Sequence, residues 1–145
     1  MRIVMDTNVL VSGMLTPFGV CGEIVRMLTT NSFTICVDSR ILFEYEDVLR
    51  RSLFKIKHNS IDVIMEYIES VAEVYNASPL PASLPDPGDE QFLEVAISGN
   101  VDCLVTGNVK HFPRKLRNGI QVVSLRKFLD VLKSRQNKHS ISELD

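Results

Sequence analysis

Arg2-Ile3-Val4-Met5-Asp6-Thr7-Asn8-Val9-Leu10 opens the chain. Ile3, Val4 and Met5 form a short apolar run that reads as a buried strand, and Asp6 ends it. Open α/β sheets place their sites outside the carboxyl ends of the strands. A carboxylate there must be hydrogen-bonded, paired or metal-bound, because an isolated buried charge is very costly. Fold and function both turn on whether other carboxylates come to meet Asp6.

Working outward, residues 20–31 read as a helix with Ile24, Val25 and Leu28 on one face, and residues 33–37 as a second strand. Ser39 is placed to cap a helix running to about residue 51, and Ser60 to cap another that spaces Ile61, Ile64, Met65, Ile68 and Val71 helically. Residues 77–88 hold four prolines and a glycine and read as a loop. A helix over 89–98 is closed by Gly99-Asn100, a common helix stop. Residues 104–105 and 120–123 read as strands, and a last helix runs from 125 to about 135. Without repeats or a linker, the chain reads as a single domain over 1–138 with a polar, frayed tail over 139–145. Strands separated by helices predict an α/β fold with a central parallel sheet covered on both faces.

The 145 residues suffice for one good core, and 45% hydrophobic with 23% charged residues is the balance of a soluble globular protein. No apolar stretch is long enough to span a bilayer, so no membrane association is expected. The N-terminus lacks the marks of a signal peptide. Cys21, Cys36 and Cys103 are odd in number and far apart, as in a cytoplasmic protein without a disulfide frame, and His58, His111 and His139 are too scattered for a zinc centre. A net charge of −2 hides an asymmetry: residues 1–109 hold 7 basic and 15 acidic side chains, residues 110–145 hold 9 and 3. An acidic body with a basic C-terminal quarter suits a protein that holds cations in one place and phosphates in another, as well as an unevenly charged solvated surface.

Helical geometry advances 100° per residue. On the helix after Ser39, Glu44 lies at the rim of the apolar arc of Ile41, Leu42, Tyr45, Val48 and Leu49, while Glu46 and Asp47 point further toward solvent. Asp89 projects onto the middle of the face formed by Phe92, Leu93, Ala96 and Ile97, so its carboxylate should face the sheet. Asp86 precedes Pro87, the pattern of a capped helix start, and a metal role competes with capping there. Thr106 and Asn108 follow the 104–105 strand, at the same end as Asp6 if the strands are parallel, although Thr-Gly-Asn is also a plain turn. Oxygen ligands without His or Cys suit Mg²⁺ or Mn²⁺, and clustered carboxylates need a cation to stay ionised together.

Taken in order, these segments resemble the motifs of PIN-domain nucleases. Asp6-Thr7-Asn8-Val9-Leu10-Val11-Ser12 is similar to the opening motif, and Ser39-Arg40-Ile41-Leu42-Phe43-Glu44-Tyr45 to the second. Asp86-Pro87-Gly88-Asp89-Glu90-Gln91-Phe92-Leu93-Glu94-Val95-Ala96 resembles the third, and Leu104-Val105-Thr106-Gly107-Asn108 the fourth. The chain looks most like prokaryotic PIN proteins that serve as toxin components of toxin–antitoxin systems. The resemblance implies a three-layer α/β/α fold and metal-dependent cleavage of RNA, with Asp6, Glu44 and Asp89 around Mg²⁺ or Mn²⁺. It implies a supporting, hydrogen-bonding role for Asn8 and a place near the metal or substrate for Thr106. The family commonly has an acid where this chain has Asn108, whose amide oxygen can ligate Mg²⁺ without adding charge. Asp86 is the candidate to supply the missing charge.

The expectation is a cytoplasmic Mg²⁺- or Mn²⁺-dependent endoribonuclease. Its metal ligands would be Asp6, Asp89, Glu44 and Asn108, and Lys110, Arg114, Lys115 and Arg117 would contact RNA phosphates. An antitoxin partner and a homodimer are expected from the resemblance, with Phe43 ahead of Phe112 as the interface aromatic and Phe112 able to stack on a base instead. The alternative is a non-catalytic PIN-like RNA-binding or protein-interaction module, which Asn108 favours. A receiver domain ranks below both, because Thr7-Asn8 stands where an acidic pair would be needed.

Overall fold

The computed structural model describes residues 1–144, with side chains through Lys138. The elements run β1 (Arg2–Met5), α1 (Thr7–Leu15), α2 (Val20–Thr29), β2 (Thr34–Val37), α3 (Ser39–Leu49), α4 (His58–Val71), β3 (Glu73–Val74), α5 (Glu90–Gly99), β4 (Cys103–Val105), β5 (Val122–Val123) and α6 (Leu125–Leu144). The five strands form a sheet in the order β3-β2-β1-β4-β5, and every neighbouring pair is parallel. Ile3 to Met5, Ile35 to Val37 and Cys103 to Val105 are all buried, so helices cover both faces in three layers. The chain builds outward from β1 to β3 on one side, then returns to build β4 and β5 on the other. The topological switch point therefore falls between β1 and β4, where open α/β sheets form their crevices.

Several expectations need correction. Helix α1 has no counterpart in the sequence reading. Thr7, Val9, Leu10, Val11 and Gly13 are buried around most of its circumference, which erases an amphipathic period. Gly13 permits close approach of α2: a Cβ there would meet Val25 Cγ2 at 2.3 Å and the Cys21 carbonyl oxygen at 2.7 Å. Helix α3 is capped by Asp38, whose carboxylate accepts the Ile41 N–H at 3.0 Å, and Ser39 is its first residue. Ser60 caps nothing, because α4 begins two residues earlier at His58. Strand β3 is a two-residue edge, too short to carry a pattern. Helix α6 continues past 135 to Leu144, and the tail expected over 139–145 lies outside the residues whose side chains are described.

The proline-rich segment is an ordered loop. Glu94 accepts the Leu80 N–H at 2.9 Å and Glu90 the Leu84 N–H at 3.1 Å, tying the loop to α5. At the other side, Phe128 of α6 meets Phe33 edge-to-face at 5.3 Å between ring centroids. Among the described residues, no single helix is long and apolar enough to cross a membrane.

Candidate active site

Asp6 follows β1 directly, and its N–H is held by the Val105 carbonyl of β4 at 2.9 Å. Thr106, which follows β4, is fully buried and donates its hydroxyl to Asp6 Oδ2 at 2.8 Å. The Asn108 N–H in turn donates to Thr106 Oγ1 at 3.0 Å. This relay fixes the Asp6 carboxylate at the switch point and leaves its Oδ1 without a hydrogen bond among the described residues.

Helix α3 reaches the same edge through Tyr45. Its buried hydroxyl donates to the Met5 carbonyl, and burial, then the Asp6 and Glu44 charges, push the phenol well above its ordinary pKa, so it stays a donor. That contact brings the preceding Glu44 over the start of α1, where Glu44 Oε2 accepts from the Thr7 hydroxyl. Thr7 and Tyr45 are site residues that the sequence reading passed over. Thr7 sat inside a recognised motif without a role, and Tyr45 looked like ordinary core.

Asp89 closes the 3₁₀ turn Pro87–Asp89 and leads into α5. Its side chain is 13% exposed, and Nδ1 of His111 lies 3.3 Å from its Oδ2. That contact lacks hydrogen-bond geometry, so Oδ2 is a buried oxygen with no hydrogen-bond partner. Burial pushes the Asp89 carboxyl up to about 6, the facing Asp6 and Asp86 charges add to the shift, and His111 opposes it. His111 reaches Asp89 from the turn Val109–His111, a return of the chain that residue spacing cannot reveal.

Asp6, Glu44 and Asp89 thus belong to one edge of the sheet, but they do not close a finished cage. Among the described residues no three His, Cys, Asp or Glu side chains converge as metal ligands. Glu44 is turned onto Thr7, and Asn108 is exposed and enters the relay by its backbone. Of the four residues expected to ligate an ion, Asp6 and Asp89 are the two whose charges act on each other here, and they could hold a divalent ion between them. That pair fits such an ion: the two charges repel each other, and the buried Asp89 Oδ2 has His111 Nδ1 beside it at 3.3 Å without a well-formed hydrogen bond, so a cation there would offset both charges. Asp86 takes the capping role, accepting the Gly88 N–H at 2.9 Å. Asn8 is exposed, and its side chain makes no hydrogen bond among the described residues.

The basic residues part company. Lys110 is exposed in the turn beside His111. Arg114 and Arg117 line a groove of about 540 Å³ along β5 with Lys127, and no carboxylate lines it. Arg117 also pins the loop, donating Nε to the Phe112 carbonyl at 2.6 Å. Burial, then Arg114, lower its pKa. Lys115 instead lines a separate pocket of about 260 Å³ with Pro79, Leu80 and Leu116. Phe112 is not an exposed aromatic: it is 0% exposed and belongs to the core, which removes it from both the base-stacking and the interface roles. Phe43 is 73% exposed.

The comparisons with known proteins agree with this frame. A chain of the crystal structure of VapBC2 from Rickettsia felis, bound to a DNA fragment from their promoter, superposes with a TM-score of 0.54 at 18% identity, covering 86% of this chain and 98% of that one. No curated protein matches the sequence. The family profile described as PIN domain matches residues 2–110, from the first strand through the turn after β4 that contains Asn108. The chain belongs to the PIN domain family.

Proposed function

We propose that the chain is a Mg²⁺- or Mn²⁺-dependent endoribonuclease and the toxin component of a toxin–antitoxin pair. The observation that carries the nuclease reading is the mutually repelling Asp6–Asp89 pair at the sheet edge, with a buried Asp89 oxygen that makes no hydrogen bond and has only the 3.3 Å ion-pair contact of His111 to offset its charge. The antitoxin partner is supported by the fold shared with a chain of VapBC2, a structure described as bound to DNA from their promoter.

A divalent ion held by Asp6 and Asp89 would stabilise charge on a phosphate oxygen as a Lewis acid. The chain's own residues do the rest. Thr106 and the Asn108 N–H fix the rotamer of Asp6. Thr7 fixes Glu44 through Oε2, so its second oxygen can orient a water and take its proton as that water attacks phosphorus in line with the departing ribose oxygen. Arg114 and Lys127, whose groove holds no carboxylate, would carry the strand's phosphates.

The second reading, a non-catalytic RNA-binding or protein-interaction module, is favoured by the absence of a three-ligand cage among the described residues and by Asn108 where the family commonly has an acid. Purified protein separates the two. Cleavage of single-stranded RNA in Mg²⁺ or Mn²⁺, stopped by chelator and by Asp6→Asn, is expected. Binding without cleavage in either metal would establish the second reading.

The phosphate track makes a further expectation. Arg114→Ala and Lys127→Ala should each weaken RNA binding similarly across sequences and lower the salt slope by roughly one unit. Lys115→Ala, on the other side, should change neither. Anisotropy titrations at several salt concentrations check this, and equal effects at all three positions would mean that no defined track exists.

A further inference from the structure

The face of α3 that carries Glu44 continues into a second groove of about 490 Å³, walled on the far side by Gln91 of α5. Phe43 stands in it, 73% exposed and next in sequence to Glu44, which lines the same groove. The charges around it balance: Arg40 and Arg51 face Glu44 and Asp47. Arg40 is already held by Asp38 and Glu94 at 2.7–2.8 Å, and Arg51 lies 3.7 Å from Asp47. Such a surface has no net pull on a phosphate, unlike the groove of Arg114, Arg117 and Lys127. It offers an aromatic face, the amide of Gln91 and the hydroxyl of Ser39. That chemistry fits a flat, neutral ring with polar edges.

We propose that Phe43 stacks on an unpaired nucleobase of the strand whose phosphate lies at Asp6 and Asp89. The groove is then a base subsite in which Phe43 supplies the stacking face and Ser39 and Gln91 the polar edge. A second copy of the chain is the competing occupant of Phe43. The charged neighbours of Phe43 argue against it, because the core of a protein–protein interface is depleted of charge. The inference rests on the ribonuclease reading above.

The test compares two labelled strands of about 12 nucleotides, within the range of single-strand sites. One is oligoadenylate and the other a fully abasic ribose-phosphate strand. Binding is read by anisotropy with Ca²⁺ replacing Mg²⁺, strand integrity is checked on a gel, and light scattering gives the oligomeric state. Wild type should prefer oligoadenylate. Phe43→Ser should lose about ten-fold in affinity for oligoadenylate and nothing for the abasic strand, and Phe43→Trp should restore the difference. Equal losses on both strands, or none, would overturn the proposal. A wild-type dimer that Phe43→Ser turns into a monomer, with oligoadenylate affinity unchanged, would give Phe43 to the second copy. If wild type binds and, in Mg²⁺, cuts oligoadenylate while Phe43 is indifferent, only this inference falls. If wild type neither binds nor cuts it, the ribonuclease reading falls with it.

Discussion

Asp89→Asn should end cleavage and, in the same protein, raise the melting temperature of the metal-free chain at about pH 8. On the proposed reading, losing one of the two carboxylates that would hold the ion removes several kcal/mol of charge stabilisation in the transition state, which is at least about a thousand-fold in rate. The stability change has the opposite sign. The Asp89 carboxyl is pushed up to about 6 by burial and by Asp6 and Asp86, so the fold favours its protonated form. The stabilisation from that protonated form is fully present below the ordinary carboxylate pKa and is lost as pH rises through about 6. Above that pH the native state carries a charge it disfavours, and asparagine removes it. Allowing for partial solvation, the gain is on the order of 1–2 kcal/mol, or roughly 3–6 °C. It should shrink toward nothing near pH 4. Millimolar Mg²⁺ should stabilise wild type and leave the asparagine variant unmoved. Scanning fluorimetry at the two pH values, with chelator or Mg²⁺, measures all of this. A metal-free variant no more stable than wild type at about pH 8 would show that the carboxylate is not under repulsion.

Phe112→Ala should cost about 3–5 kcal/mol, as much as truncating a ring of the central core. The ring is fully buried although Lys110, His111, Arg114 and Lys115 around it in sequence are exposed. It anchors the segment that carries Asn108 and His111 to the site, and Arg117 clamps that segment by its carbonyls at Phe112 and Val109. A melting temperature lower by about 10 °C or more is expected, with the denaturation midpoint shifted and its slope unchanged. A loss under about 1 kcal/mol would mean that the ring does not sit in the core.

How legible all this was depended on which physical signal each residue carried. The positions of Asp6 after β1 and of Asp89 at the start of α5 were readable because one ends an apolar strand and the other falls within a helical apolar arc. The parallel sheet followed from the alternation of strands and helices. Helix α1 was not readable, since a segment buried on most sides shows no period. The contacts of Thr7 with Glu44 and of His111 with Asp89 bring together residues far apart in the chain, so spacing along one element could not announce them. Phe112 was misplaced for a related reason: two short 3₁₀ turns give no pattern, and the surrounding charges suggested solvent. The same turns send Lys115 to one surface and Arg114 to another, which charge counting treats as a single patch.

The most direct test of the central claim, that Asp6 and Asp89 share a divalent ion, is anomalous scattering from crystals of the wild-type protein grown in Mn²⁺. The expected result is a single strong peak about 2 Å from one carboxylate oxygen of each residue, absent from Asp89→Asn crystals. A peak elsewhere, or no peak between the two carboxylates at saturating Mn²⁺, would contradict it.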